Sequence, residues 1–383
     1  MARGRKGSAI RNKINLLLYG SQFTGKSTLA MQVALLKDEN GENYKTLVFD
    51  CESGGMDEAI DNVVAQGASP DDIYVIYTQS ITEIKQYINK ISNNEDLYEL
   101  NEDGEETDDV VLDSHGKPFR AQAVVIDGTS VLKMTAQNSL INLSQKRNKI
   151  KAAKSGATAE ETYVMVANAG MELKDWNKMG TIAQDFVLSL MSLPCSVVMT
   201  SREKDETLTE KDPEGRVVSV ATGKKIPDSL KGIEYNAKMI FRMYADEETG
   251  EICAFVEKDR TKVHELGEIL VDPTLLDYQE MLDKSIGKTS FNVKNDFNKA
   301  VETEQKILEK EILGPDYKTE PEDDTKKSDC SAIIKQIKAT IDAMPLADKR
   351  AKREAIKAAG LPDQYQKITD TETLAKILSI VAE

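Results

Sequence analysis

Short apolar runs recur along the first two thirds of the chain, separated by longer stretches in which apolar positions return every three or four residues. That alternation predicts strands joined by helices, an α/β core with a largely parallel sheet from Ile14 to Asp272. The expected strands are Ile14–Tyr19, Thr46–Asp50, Ile73–Tyr77, Ala123–Asp127, Ser196–Thr200, Ala237–Tyr244 and Ile252–Glu257. The last two flank Asp246–Gly250 (DEETG), a turn that predicts an antiparallel hairpin. Helices are expected after Gly25, Gly55, Ser80 and Ser130, and from Ala169 to Met191.

The pattern changes outside that core. Residues 1–13 form a basic tail (Arg3, Arg5, Lys6, Arg11, Lys13), read as a disordered segment or one that touches phosphate. Residues 95–113 hold ten acids and no base, which predicts an acidic hairpin or loop inserted at the edge of the core. Residues 273–314 extend the core and end in a charged helix, Asn295–Leu313. Residues 315–329 (PDYKTEPEDDTKKSD) have the proline, charge and apolar poverty of a flexible linker. Helical periodicity returns over 330–383 through Ile333, Ile334, Ile337, Leu374, Ile377 and Leu378, broken at Gly360-Leu361-Pro362. A small helical module is expected there.

Charge narrows the choices. Fifty Lys and Arg against 65 Asp and Glu give a net charge of −15, which excludes a generally basic nucleic-acid coat and leaves only local patches. Cys51, Cys195, Cys253 and Cys330 are scattered, with only His115 and His264 beside them, so no zinc site is expected and a reducing cytoplasm suits them. The longest uncharged stretch, Phe186–Ser201, is interrupted by Pro194 and falls short of the ~20 residues that a membrane span needs.

The strongest chemical signal is LLLYGSQFTGKSTLA. Gly20, Gly25, Lys26 and Ser27 satisfy G-x-x-x-x-G-K-[ST] between an apolar strand and a helical stretch. The loop of Gly20, Ser21, Gln22, Phe23, Thr24 and Gly25, with Lys26, Ser27 and Thr28 behind it, can turn its N–H groups toward phosphate. Lys26 is expected to bridge the β- and γ-phosphates of ATP, and the Ser27 hydroxyl to coordinate Mg²⁺. Such a site needs an acid on a neighbouring strand; Asp127, ending the apolar run Ala123–Ile126, supplies it where ligands gather in parallel sheets. Gly128 follows rather than Glu, so the base that polarises water must come from elsewhere. TLVFDCESGGMD offers Glu52 at a strand end, as a base or simply as a solvated carboxylate.

This combination resembles the RecA family of recombination ATPases: strand and phosphate loop, a glutamate after the next strand, and later an apolar strand ending in Asp. In the family that glutamate is the catalytic base, and Glu52 occupies its place. Most similar are the compact bacteriophage members of the Sak type, which act in single-strand annealing and recombination. The stretch DWNKMGTIAQDFVLSLMSLPCSVVMTSREK also resembles that group. The resemblance covers 14–272; the acidic insertion and the C-terminal module depart from it. It implies a homo-oligomer, ring or filament, with shared active sites, single-stranded DNA as partner, and a cytoplasmic location in a bacterial host.

Two further expectations follow from it. ICAFVEKDRTKV places Lys258 and Arg260 two apart past a strand, similar to the K-x-R by which hexameric helicases of the DnaB kind reach a neighbour's γ-phosphate; the alternative is an ordinary charged hairpin. Two basic segments stand where RecA-like proteins keep mobile DNA-contacting loops; as isolated charge runs they also read as solvated helix faces. One carries Lys146, Arg147, Lys149, Lys151 and Lys154; the other runs from Arg216 through Lys224, Lys225 and Lys231. Neither segment contains an aromatic residue, so binding there should be indifferent to sequence. A P-loop kinase and a nucleotide-gated scaffold recruiting a protein through the C-terminal module are the other readings.

Overall fold

The computed structural model describes residues 12–211, 216–285 and 294–313, and 333–382 except 339, 342, 343, 345, 363, 364, 366, 367 and 369. The chain divides into two compact units, Met1–Asn298 and Lys299–Glu383.

The first unit is built on one sheet and a small hairpin. Its strands are β1 (Asn15–Gly20), β2 (Thr46–Asp50), β3 (Ile73–Tyr77), β4 (Tyr98–Leu100), β5 (Glu106–Val110), β6 (Ala123–Asp127), β7 (Ser196–Lys211), β8 (Val217–Asp228), β9 (Met239–Ala245), β10 (Ile252–Asp259) and β11 (Ile269–Val271). Nine of them form the sheet in the order β11-β10-β9-β1-β7-β6-β2-β3, with β8 paired to β7. From β9 across to β3 every neighbouring pair is parallel; β10, β11 and β8 join antiparallel. This is the α/β class expected from the sequence, and all seven expected strands are present.

The central strands read as unbroken apolar runs because both faces of the sheet are covered. In β1, Leu17 and Tyr19 join one core with Phe49, Ile126 and Met199, beneath helices α3 (Ile81–Asn93), α4 (Thr129–Ser155) and α6 (Leu173–Ser192). Leu16 and Leu18 point the other way, to a core with Val48, Val125, Val198 and Tyr278 beneath helices α1 (Lys26–Met31) and α2 (Asp57–Ala65). A one-residue slip of β1 would exchange the two sets, so the register of the phosphate-loop strand is firmly specified.

Three sequence expectations need correction. Lys13 does not belong to a free tail: its ammonium donates to the carbonyl oxygens of Met191 (2.8 Å) and Leu193, and burial pulls its pKa down to about 8. The rest of that tail, residues 1–11, lies outside the described residues. The basic segment 146–154 is not a mobile loop but the last third of α4, a 27-residue helix, and so the solvated helix face that its charge run also suggested. The segment from 216 is also regular. Past Thr200, β7 continues to Lys211 and pairs with β8 from Arg202↔Asp228 to Lys211↔Val217, a two-stranded ribbon standing off the core. A short helix, α5 (Ala159–Ala167), follows α4 and was not expected.

The acidic insertion is the β4–β5 hairpin, with Lys90 paired to Glu106 and Arg120 to Asp96. In the second unit Ile337, Ile356, Leu374, Ile377 and Val381 make a small separate core of helices, while the expected linker 315–329 lies outside the described residues. Among the described residues no helix is long and apolar enough to cross a membrane.

Candidate active site at the phosphate loop

The sheet brings the C-terminal ends of β1, β2 and β6 and the Thr200–Arg202 part of β7 to one edge, and the candidate residues of the phosphate loop, Asp127 and Glu52 meet there. Gly20 ends β1 so close to β9 that a Cβ would lie 2.1 Å from the Met243 carbonyl oxygen. Only glycine lets the chain leave the sheet here. At Gly25 the backbone is left-handed (φ 73°), which starts α1 directly at Lys26. Phe23, at the crest of the loop, is almost fully exposed.

Lys26 folds back over its own loop, donating from Nζ to the Ser21 carbonyl oxygen and, at 3.4 Å, to Thr24 Oγ1. Burial lowers its pKa, against the pull of Asp127, Glu52 and Glu203. Ser27 Oγ donates to Asp127 Oδ1 at 3.0 Å, and Thr200 Oγ1 donates to the same oxygen at 2.6 Å. Burial pushes the Asp127 carboxyl above its ordinary value, with the two hydroxyls opposing. A hard-oxygen set of hydroxyl and buried carboxylate behind a glycine-lined cradle fits Mg²⁺ with a nucleotide phosphate: Ser27 and Asp127 would hold the ion, which would neutralise phosphate charge.

Glu52 is fixed by a tight turn. Asp50, buried at the end of β2, accepts from Glu52 N (2.9 Å) through one oxygen and from Gly54 N (2.7 Å) through the other. Ser53 takes the left-handed conformation between them, at φ 65°. Cys51 N donates to the Asp127 carbonyl oxygen (3.0 Å), tying the turn to the acid strand; its thiol is buried and pushed up to about 12, which leaves it inert. The Glu52 side chain then lies over Gly128, where a Cβ would sit 2.6 Å from Glu52 Cγ. This explains the residue after Asp127: the carboxylate from β2 fills the space that a side chain at 128 would take.

Gly128→Ala is therefore expected to displace Glu52, and at φ 95° to strain the backbone as well. Hydrolysis should fall by about tenfold or more while nucleotide affinity stays within a factor of about three, since Gly128 lies outside the loop. Parallel measurement of turnover and equilibrium binding checks this, and a fall in both together would contradict it.

Two residues that the motifs do not include also belong to the cluster. Thr200 bridges strands, accepting from Gly128 N (2.9 Å) while donating to Asp127. Arg202 donates from Nε (3.1 Å) and Nη2 (3.0 Å) to Glu52 Oε1. The signal available in the sequence was the strand-end position of Thr200-Ser201-Arg202, where polar residues in such sheets face ligands.

The remaining candidates lie apart. Asp259 pairs with Met239, which pairs with Leu16 near the start of β1, whereas Gly20 pairs with Met243. Lys258 and Arg260 are thus at the opposite end of the sheet from the loop, about 13 Å away along the strands. Lys258 Nζ donates to the carbonyl oxygens of Glu234 (2.9 Å) and Tyr235 (3.2 Å), and Arg260 is exposed. Neither serves its own phosphate loop.

On α4, Lys146, Lys149, Lys151 and Lys154 are exposed to differing degrees, but Arg147 is occupied by Asp175 (2.5 Å), whose carboxyl it holds below the ordinary value. On the ribbon, Lys224 is exposed and Lys225 pairs with Asp205 at 2.7 Å; Lys231 is exposed beyond its base.

A family profile described as an AAA domain matches residues 12–267. No curated protein matches the chain. Among solved structures, the RadB recombinase is 15% identical, covering 67% of this chain and 84% of its own, with a TM-score of 0.35. A KaiC-like protein from the hyperthermophilic archaeon Pyrococcus horikoshii is 13% identical, covering 69% and 90%, also with a TM-score of 0.35. Likenesses this distant say nothing of activity. The family match takes in the loop, the Glu52 turn and the Asp127 strand together, more than half of the chain, and so the chain belongs to the AAA domain family and is a P-loop nucleotide-binding ATPase by that membership.

Proposed function

We propose that the protein is a RecA-like ATPase that acts on single-stranded DNA in recombination, annealing or repair, related to the phage ATPases of the Sak type. The observation that carries the hydrolytic part is the placement of Glu52 over Gly128, beside the Ser27–Asp127 pair and the Lys26 loop. In this reading Lys26 grips the β- and γ-phosphates, Ser27 and Asp127 hold Mg²⁺, and Glu52 takes a proton from the attacking water. Lys258 and Arg260 act in trans, on the nucleotide of a second copy.

Support for DNA comes from the exposed lysines of α4, Lys146, Lys149 and Lys154, and from Lys224 on the ribbon, in a chain of net charge −15. The helices around the α4 lysines also expose Tyr163 on α5 and Trp176 on α6, flat surfaces on which bases can stack. Asn148 Nδ2 donates to the Met165 carbonyl oxygen (3.0 Å), which fixes α5 against α4.

The test is ATP turnover with and without single-stranded DNA, together with DNA affinity across a salt series. Replacing Lys146, Lys149, Lys151 and Lys154 by Gln should weaken binding on every sequence alike and make the salt slope shallower by about 0.7 for each phosphate no longer neutralised. The same is expected for Lys224 and Lys231. Unchanged affinity and slope in both sets, with no stimulation by DNA, would return the protein to the kinase or scaffold readings.

A further inference from the structure

Arg202 sits where β7 leaves the core: its backbone pairs with Gly20, the first residue of the phosphate loop, and, on the other side, with Asp228 at the base of the ribbon. Its amide donates to Ser130 Oγ at 2.9 Å, so the main chain is held while the side chain reaches across to Glu52. Both of its donating nitrogens converge on one oxygen, Oε1, and leave the other oxygen of the carboxylate out of the pairing. The guanidinium is also close enough to Lys26 to oppose its charge. The pair is open to water, with Arg202 about half exposed and Glu52 about a third. An ion pair so exposed is weak and easily exchanged.

We propose that Arg202 is a cis γ-phosphate ligand that exchanges partners, holding Glu52 until a triphosphate arrives and then releasing it. This rests on the ATPase reading above. A γ-phosphate carries more charge than a carboxylate and offers three oxygens to a planar fork of donors, so it outcompetes a single oxygen of Glu52. One movement of the guanidinium then places a cation on the phosphate where charge builds and frees the base that must face the water. A diphosphate ends short of Arg202 and leaves the pair with Glu52 intact. The arginine that the sequence suggested only in trans thus has a counterpart in the same chain, on the strand that also carries Thr200.

The experiment is equilibrium binding of the β,γ-imido analogue of ATP and of ADP, each with Mg²⁺, to the full chain and to Arg202→Ala and Arg202→Lys. Arg202→Ala should weaken the triphosphate analogue by about 10- to 100-fold and leave ADP within about twofold, with Arg202→Lys intermediate. Should Arg202→Ala not fold, Arg202→Gln carries the same comparison. An unchanged ratio of triphosphate to diphosphate affinity in the variants overturns the role of Arg202 and leaves the ATPase reading in place. A native protein that binds neither nucleotide overturns both.

Discussion

Glu52→Gln is expected to stop hydrolysis while nucleotide still binds. The amide keeps the size of the side chain and an oxygen that can accept from Arg202, but it cannot take the proton of an attacking water. Turnover should fall by about 10²- to 10⁴-fold, the range for removing a general base. Affinity should stay close to native, because Glu52 stands beyond the loop that grips the phosphates. Lys26→Ala gives the opposite pattern: the loop loses its side-chain cation, and tight binding disappears along with turnover. Stopped-time phosphate release and titration with a fluorescent nucleotide separate the two. If both variants lose binding to the same extent, Glu52 holds the turn at the end of β2 and has no part in chemistry.

Arg260→Ala is expected to lower turnover by about 10³- to 10⁵-fold, the range for arginine fingers, and a Glu52→Gln partner should restore part of it. The register makes this a sharp test. Because Arg260 lies at the far end of the sheet from its own loop, a contribution to hydrolysis requires a second copy. In a mixture, some interfaces pair an intact base from one protein with an intact finger from the other. Turnover per subunit of the native protein should also rise with concentration. Absence of rescue at every mixing ratio, with co-assembly demonstrated, reduces Lys258 and Arg260 to surface charges.

The parts legible in the sequence are those where physics leaves a local mark. β1, β2, β6 and the start of β7 showed as apolar runs because both of their faces are buried, and Gly20, Gly25 and Gly128 mark places where a Cβ or a negative φ does not fit. The phosphate loop is contiguous, so one short stretch of chain holds its whole motif. What stayed hidden depends on distance. Nothing in the residues after Thr200 alternates apolar with polar, because the ribbon is exposed on both faces; its pairing partner Val217–Asp228 holds Val217, Val218 and Val220, but exposed, so they mark no buried face. The lysines of 146–154 read as loop or as helix face since most of that part of α4 faces solvent, and its anchors, Asp175 on Arg147 and the Met165 carbonyl oxygen on Asn148, lie 28 and 17 residues further on. The Glu52–Arg202 pair joins residues 150 apart in sequence, and no local pattern records it.

The position of β1 has a consequence for how the chain comes to fold. It precedes every other strand of the sheet in the chain, yet it lies in the middle of the sheet, and Asn15 waits for Val197 on one side as Leu16 waits for Met239 on the other. At about 5–20 residues per second, the second partner leaves the ribosome roughly ten seconds or more after the first strand does. Until β7 emerges, β2 and β3 can pair, with β6 to follow, while Leu16, Leu17 and Leu18 have neither neighbour. Contacts so far apart in sequence also form slowly. The phosphate loop is therefore among the last features of the first unit to take shape, and a chain arrested near residue 195 would carry the whole nucleotide motif without a site to bind with.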